Sequence, residues 1–369
     1  MILFLHNRYR TTGGEERVVE DLLWLVREQL SEDAQLLMRD SATIGRGAAA
    51  TGLLGGGLAP ERVATAVRRS GARIVHAHNL NPSLGWRALA AARAAGARTV
   101  LHLHNYRLVC AVGTCFTRGE ECTRCHGRDT LPGVRRNCRG TGVEAAVYGA
   151  SLALWQRRLL AHADAVVVPS AFALARLRAL GAPLDGQVHV IGHVVRDVVA
   201  TSTAATGEYA LVVSRLAPEK GVDIAIAACA AAGLPLVIAG DGPDRGALEA
   251  RAAGTRTTFT GRVDACELAR LRAGAGLAIV PSRSAETFGL AAAEAMAAGL
   301  PVVASAIGAL PELCDPAELV MPGDAAAFAV AVRSRFADAH AGERGRRRVL
   351  ELAAPAVVAA TLGAVYDSL

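Results

Sequence analysis

Aromatic residues are scarce: Phe, Trp and Tyr make up 4% of the 369 residues. That is too little to build the stacking platforms on which single-stranded nucleic acid is held, so no nucleic-acid partner is expected. Lysine is almost missing. Of forty basic residues one, Lys220, is Lys and the rest are Arg. Long apolar runs are missing as well. The longest uncharged one, Ile224 to Gly240, falls short of the ~20 residues a bilayer span needs. Gly233 and Pro235 break it, so it reads as a helix followed by a strand. The opening Met1-Ile2-Leu3-Phe4-Leu5 reaches His6 and Arg8 too soon to be the apolar part of a signal peptide. A cytoplasmic chain with reduced cysteines is therefore expected, peripheral on the inner face of a membrane at most.

What is present is a chain able to bury large cores. Hydrophobic residues are 52% and charged residues 20%, which excludes a largely disordered chain, and the length favours two domains. The net charge of +6 is a mild excess suited to phosphate-bearing ligands or an anionic surface. The block Arg344 to Arg348 reads as a solvated helix face.

Short apolar runs alternate with longer Ala/Leu/Arg helical patterns, the rhythm of parallel sheets covered by helices. Strands are expected at residues 1–6, 35–38, 74–78, 99–104, 165–169 and 188–191, with helices between them. The rhythm breaks at residues 196–207, a small polar stretch that reads as a linker. A second series has strands at 210–214, 235–239, 257–260, 277–281, 301–305 and 319–321. The fold expected is α/β: two Rossmann-like, doubly wound domains facing each other across a cleft. The first covers residues 1–195 with a Cys-rich insert at 105–140, and the second covers 208–350. A final helix in 351–369 is free to pack back on the first domain. Ligands bind beyond the carboxyl ends of such strands, which suits a two-substrate enzyme.

Two loops of the second domain carry chemistry. In Ser214-Arg215-Leu216-Ala217-Pro218-Glu219-Lys220-Gly221, two cations follow a strand end, where an anionic ligand would sit. Against the arginine bias, the lone Lys suggests a site that needs a compact ammonium rather than a planar fork. In Pro281 to Glu294, Gly289 opens a helix whose free N–H groups could receive a phosphate. Glu286 precedes that helix and Glu294 lies within it, so the two carboxylates can bracket a phosphorylated sugar.

The Glu-x7-Glu segment, the Arg215/Lys220 loop and Gly240-Asp241-Gly242-Pro243 resemble those of the family 4 retaining glycosyltransferases, which have the GT-B fold. So do Phe259-Thr260-Gly261-Arg262-Val263, the Gly13-Gly14 loop and His104, in the same order along essentially the whole chain. The resemblance implies that Arg215 and Lys220 bind the donor diphosphate, aided by backbone at Phe288, Gly289 and Leu290. It implies that Glu294 holds the ribose, Glu286 the hexose hydroxyls, and Val263 the base through its backbone. Gly242 would belong to the donor site, and Gly13 and Gly14 would let the first domain's loop approach the phosphates. His104 would face the donor sugar. No catalytic metal is implied.

Strand alternation puts His102 and His104 on one face, and His76 and His78 repeat the pattern. Four histidines raise the possibility of a metal, but contacts to polar substrate groups are the preferred reading. His78 and Asn79 are candidates for the acceptor side. Cys110, Cys122, Cys125 and Cys138 have spacing suited to structural zinc. Reduced loop thiols and a disulfide are the alternatives. This Cys-rich segment is similar to that of a subgroup assembling surface polysaccharides, and its place suggests that it shapes the acceptor site.

The function expected is transfer of a hexose or N-acetylhexosamine from a nucleotide sugar, UDP favoured. The acceptor hydroxyl would belong to a glycan, a lipid-linked glycan or a small molecule. A non-catalytic sugar-nucleotide-binding protein is one alternative. A GT-B phosphorylase using pyridoxal phosphate is another, with Lys220 as its only possible Schiff base. The helix at 143–161, with Trp155, Arg157 and Arg158, reads as an ordinary core helix, with membrane docking as the variant.

Overall fold

The computed structural model describes residues 1–9, 13–196, 202 and 204–369. They form two compact units, one of Met1–Thr117, Cys122–Val194 and Pro355–Leu369, the other of Arg118–Glu121 and Val195–Ala354. Of the expected linker, residues 197–201 and 203 lie outside the described residues. The second unit begins at Val195 rather than at 208, because the Val195 N–H donates to the Ala353 carbonyl at 2.9 Å.

The first unit is built on β1 (Ile2–Arg8), β2 (Ala34–Asp40), β3 (Ile74–Ala77) and β4 (Arg98–His102). After two short strands, β5 (Phe116–Thr117) and β6 (Glu120–Glu121), the sheet is completed by β7 (Ala165–Val168) and β8 (Val188–Val190). The strands pair in parallel in the order β2-β1-β3-β4-β7-β8. β1 is apolar on both faces, with Ile2 to Leu5 all buried, as expected of a strand covered on both sides. Its carboxyl end turns polar at His6 and Asn7, which are buried too.

The helices are punctuated by side chains. Thr141 caps the helix Gly142–Ala161 by accepting the Glu144 N–H, and Ser170 caps Ala171–Ala179 by accepting the Ala173 N–H. The C-terminal helix Pro355–Asp367 belongs to this unit, with Val358, Leu362, Val365 and Tyr366 buried.

The second unit has β9 (Tyr209–Val213), β10 (Leu236–Ala239), β11 (Thr257–Gly261), β12 (Ala275–Val280), β13 (Val302–Ser305) and β14 (Leu319–Val320). Their order is β11-β10-β9-β12-β13-β14, again all parallel. Alternate residues feed separate cores on the two faces. Leu211, Ala278, Val302 and Ala304 pack with the helix Leu290–Ala297, while Ala210, Val212, Leu277 and Val303 pack with Val222–Ala232 and Ala325–Arg335. The apolar stretch Ala339–Asp367 is not one helix. It breaks at Ala354 into Ala339–Ala353 and Pro355–Asp367, both with buried apolar faces. Arg344 and Arg347 are exposed on the first of these, as expected of a solvated face, whereas Arg348 donates to the Leu313 and Glu312 carbonyls at 2.6 and 2.8 Å.

Candidate functional site

In the second unit the strand order reverses between β9 and β12, the place where open α/β sheets bind ligands. The loop after β9 carries Arg215 and Lys220, and the loop after β12 carries Ser282 and Glu286. Lys220 ends a single 3-10 turn, Pro218–Lys220, and Gly221 (φ +62°) redirects the chain into the next helix. A Cβ on Gly221 would collide with the Pro281 carbonyl, so the two loops meet backbone to backbone. The Arg283 and Ser284 N–H groups complete that contact by donating to the Glu219 carbonyl at 2.9 and 3.2 Å.

Across the reversal, the Lys220 ammonium donates to Glu286 Oε1 at 2.6 Å, and the Ser282 hydroxyl donates to the same oxygen at 2.7 Å. Burial pushes the Glu286 carboxyl up, but the Lys220 ammonium, these hydrogen bonds and Arg215 outweigh it and hold it below the usual carboxylate range. Arg215 pairs with Glu219 and is close to half exposed. The result is a cluster of two cations and two carboxylates in which Glu286 is held in ionised form.

The glycine-rich loop after β10 has a packing role. Gly240 sits at φ +146°, and a Cβ there would meet the Ser214 carbonyl. One on Gly242 would meet that of Leu216. Backbone bonds Leu216 N–H to Asp241 O and Asp244 N–H to Leu216 O, both 3.0 Å, zip this loop to the Arg215 loop. Gly242 thus positions the cations from behind. Gly289 (φ +94°) opens the helix Leu290–Ala297, and the Phe288 side chain is buried in the core. Val263 is half-buried against the same core. Glu294 forms a buried ion pair with Arg272, a partner the sequence reading missed.

The first unit has its own reversal, between β1 and β3, and a cavity of about 80 Å³ opens there. His78, Asn79, His102, His104, Glu15 and Trp86 are among its lining. Glu15 was not anticipated; the two glycines before it were the only signal. It accepts hydrogen bonds from the Tyr9 hydroxyl at 2.9 Å and the Asn105 amide at 3.2 Å. Burial raises its carboxyl pKa against the opposing pull of His6, Arg107 and Tyr9. Asn79 needs correction as a free acceptor contact. Its amide nitrogen donates to the Asn7 carbonyl and its oxygen accepts the Asn81 N–H, so it serves to fasten β1 to the turn after β3.

Gly13 and Gly14 also depart from expectation. The Gly13 N–H donates to Glu16 at 2.8 Å, and Glu15 and Glu16 stand in the first turn that follows, which opposes a phosphate there. The neighbouring residues 10–12 lie outside the described residues.

The histidines stack. His76 and His78 are 4.6 Å apart between centroids, His102 and His104 4.2 Å, and His78 and His102 5.4 Å. Parallel register explains this, since alternate residues of β3 and β4 share a face with Phe4 and His6 of β1. His76 does not reach the cavity, contrary to expectation. It is fully buried, with Nδ1 2.6 Å from the Tyr366 hydroxyl of the C-terminal helix. His78 Nδ1 and His104 Nε2 share a 2.7 Å hydrogen bond. Burial drives the His76 pKa down to about 3 and that of His193 to about 4. For His78, His102 and His104, burial and the neighbouring imidazoles act in the same direction.

Two histidine triplets, His76/His78/His102 and His102/His104/His193, bring nitrogens within 4.8 Å of one another. In the first triplet the rings stack at 10° to 30°, so their nitrogens lie in separate, nearly parallel planes, whereas in the second His193 is tilted by 37° and 34° to His102 and His104. Substrate contact remains the better use of His78 and His104.

Trp155 faces inward. Its indole N–H donates to the Leu53 carbonyl at 3.0 Å, its ring packs on Trp86, and Arg158 covers both rings. Those contacts make Trp155 part of the packing of this unit. Cys110, Cys122, Cys125 and Cys138 line one cavity, and Cys115, outside the expected set, lines it with them.

Comparison with known proteins now bears on these two sites. Residues 10–193 match the glycosyl transferase 4-like domain, and residues 207–338 match glycosyl transferases group 1. The chain belongs to this glycosyltransferase family. A GDP-mannose-dependent alpha-mannosyltransferase of Mycobacterium tuberculosis is 34% identical over 231 residues, 57% of this chain and 58% of that one. A GDP-mannose-dependent alpha-(1-6)-phosphatidylinositol dimannoside mannosyltransferase of the same species is 47% identical over 105 residues, 27% of each chain. The matches thus span about a quarter to somewhat over half of these relatives. Sucrose-phosphate synthase from Thermosynechococcus elongatus superposes with TM-score 0.71 over 100% of this chain and 98% of that one, at 21% identity. This glycosyltransferase therefore has the GT-B architecture of two Rossmann-like units.

Proposed function

We propose that the enzyme transfers a hexose or N-acetylhexosamine from a nucleoside diphosphate sugar to an acceptor hydroxyl with retention of configuration. The observation that carries this is the Lys220–Glu286 pair, held by two loops at the strand-order reversal of the second unit. Lys220 and Arg215 take the diphosphate, joined by the N–H groups of the helix start after Gly289. Glu286 accepts bonds from hexose hydroxyls, and Glu294 holds the ribose while Arg272 fixes its carboxylate.

The anomeric carbon–phosphate oxygen bond breaks as the acceptor oxygen bonds to the same face of that carbon. The acceptor proton passes to the departing phosphate, whose charge the two cations stabilise. The acceptor lies in the first unit's cavity, where Glu15, His78, His104 and Trp86 are among the lining side chains open to a sugar-like ring. A glycan, lipid-linked or small-molecule acceptor meets those terms. No catalytic metal takes part.

Uridine is the base preferred here, and the two relatives named as GDP-mannose-dependent mannosyltransferases supply guanosine as the second reading. Incubation with UDP- and GDP-hexoses and candidate acceptors, followed by NMR of the product, tests the reading. Acceptor-dependent release of nucleoside diphosphate and an axial product from an axial donor are expected. An inverted product would overturn retention.

A further inference from the structure

The loops that carry Lys220 and Glu286 are joined by a second pair of side chains, which the transfer chemistry does not use. Asp223 stands in the first turn of the helix Val222–Ala232, three residues after Lys220. Arg283 lies three residues before Glu286. The Arg283 guanidinium donates through Nη1 to Asp223 Oδ1 and through Nη2 to Asp223 Oδ2, both at 2.8 Å. Two parallel bonds of this kind fix orientation as well as distance, which sets the pair apart from surface ion pairs that contribute little. Both partners are partly buried, Asp223 at 18% exposure and Arg283 at 31%.

The backbone makes the same join. The Arg283 N–H donates to the Glu219 carbonyl at 2.9 Å, and the Arg283 stem passes over Gly221, where an added Cβ would stand 3.4 Å from its Cγ. On the other side of the Glu286 loop, the Ala309 N–H donates to the Glu286 carbonyl at 2.8 Å.

We propose that the Asp223–Arg283 pair is a clamp that sets the spacing of Lys220 and Glu286, with Arg283 a positioning residue rather than a ligand of the diphosphate. The proposal rests on the donor site argued above. Lys220 faces two demands there. Its ammonium is bonded to Glu286, and a bound diphosphate competes for it. Were that bond the sole side-chain tie between the loops, drawing Lys220 toward phosphate would loosen their alignment. A separate tie keeps the loops in place while Lys220 turns to the ligand. Arg283 suits the task because both terminal nitrogens of its fork are already committed to Asp223. Asp223 also accepts a single, longer bond of 3.3 Å from Arg251, a side chain 67% exposed, which supplies a control.

The sign of one substitution separates the clamp from simple electrostatics. Asp223→Asn removes a negative charge close to an anion site and frees a guanidinium, so Coulomb attraction alone would tighten nucleoside diphosphate binding. The clamp predicts the reverse.

The test is calorimetric titration of UDP and GDP into the full chain and its variants, with melting temperatures measured alongside. Asp223→Asn and Arg283→Gln should each weaken the nucleotide that the parent binds by about 5-fold or more, and the double variant should be no worse than the weaker single one. Arg283→Lys keeps the charge but not the fork and should fall between the parent and Arg283→Gln. Arg251→Gln should stay within about twofold of the parent, since it leaves both bonds of the clamp in place. Should Arg283→Gln not fold, Asp223→Asn and Arg283→Lys carry the same comparison.

Tighter binding by Asp223→Asn would overturn the clamp. So would a loss confined to the Arg283 variants, which would make Arg283 a phosphate ligand, or losses that add in the double variant. A lower melting temperature with parent-like affinity would reduce the pair to a stabilising contact and reject its positioning role. Binding of neither nucleotide by the parent would overturn the donor site itself, and the clamp's role with it.

Discussion

Lys220 stands 2.6 Å from Glu286 in a chain that otherwise uses arginine for every basic position. An ammonium can touch a phosphate oxygen and this carboxylate at once, whereas a guanidinium is wider and planar. Lys220→Arg should lower kcat by at least ~10-fold, or ~1.4 kcal/mol, although charge is kept. Turnover near that of the parent enzyme would contradict the role. Glu294 behaves differently because Arg272 shares its burial. Removing the carboxylate in Glu294→Ala strands a buried cation at a cost of about 3–5 kcal/mol, visible in the denaturation midpoint. Glu294→Gln spares most of that loss and should raise donor KM more than it lowers kcat. An unmoved midpoint in the Ala variant, or unmoved KM in the Gln variant, would count against the pair or the ribose contact.

At the scale of elements, the histidine stack makes the first unit acid-sensitive. Each of its buried rings stays neutral in the fold but takes a proton near pH 6.5 when unfolded. Stability is therefore whole above that pH and falls as pH drops below it, by up to ~1.4 kcal/mol per pH unit for each ring. For His76 the fall continues to about pH 3 and for His193 to about pH 4. Glu15 and Glu318, with raised pKa values, act in the opposite sense but are outnumbered. The melting temperature should thus drop between pH 7 and pH 5, before the lowered carboxylates such as Glu286 begin to titrate. A flat profile over that range would contradict a neutral stack.

Gly240→Ala should weaken donor binding without touching the donor. Its Cβ would strike the Ser214 backbone and displace the Arg215 loop, at a cost of about 1–3 kcal/mol. Donor affinity equal to the parent's would show that the loop can yield.

Element positions in this chain are legible where one period dominates. All twelve sheet strands fall where strands were expected, most plainly β7, β12 and β13, whose residues are buried on both faces and leave an unbroken or nearly unbroken apolar run. The helix Arg46–Gly55 was not legible, since Gly47, Gly52 and Gly55 weaken every helical signal. Gly52 is there for packing, because a larger residue would strike the Pro82 carbonyl.

For the whole molecule, the two units share one plan, a parallel sheet with a reversal of strand order, the place where open α/β sheets bind ligands. The loops of Lys220 and Glu286 could be singled out in the sequence because their signals are local: a lone Lys, a Glu pair and glycines within short segments. The first unit's cavity was less so. Glu15, Trp86 and Gln156 reach it from helices distant in sequence, and no spacing rule joins them. His76 misled for the converse reason, since its partner, Tyr366, lies 290 residues away.

The central claim is that the second unit holds a nucleoside diphosphate between the Lys220 and Glu286 loops. Calorimetric titration of UDP and GDP into the enzyme and into Lys220→Ala tests it most directly. The account predicts saturable binding of at least one of them with one site per chain, weakened ~10-fold or more in the variant. Binding of neither nucleotide, or equal affinity in both proteins, would contradict it.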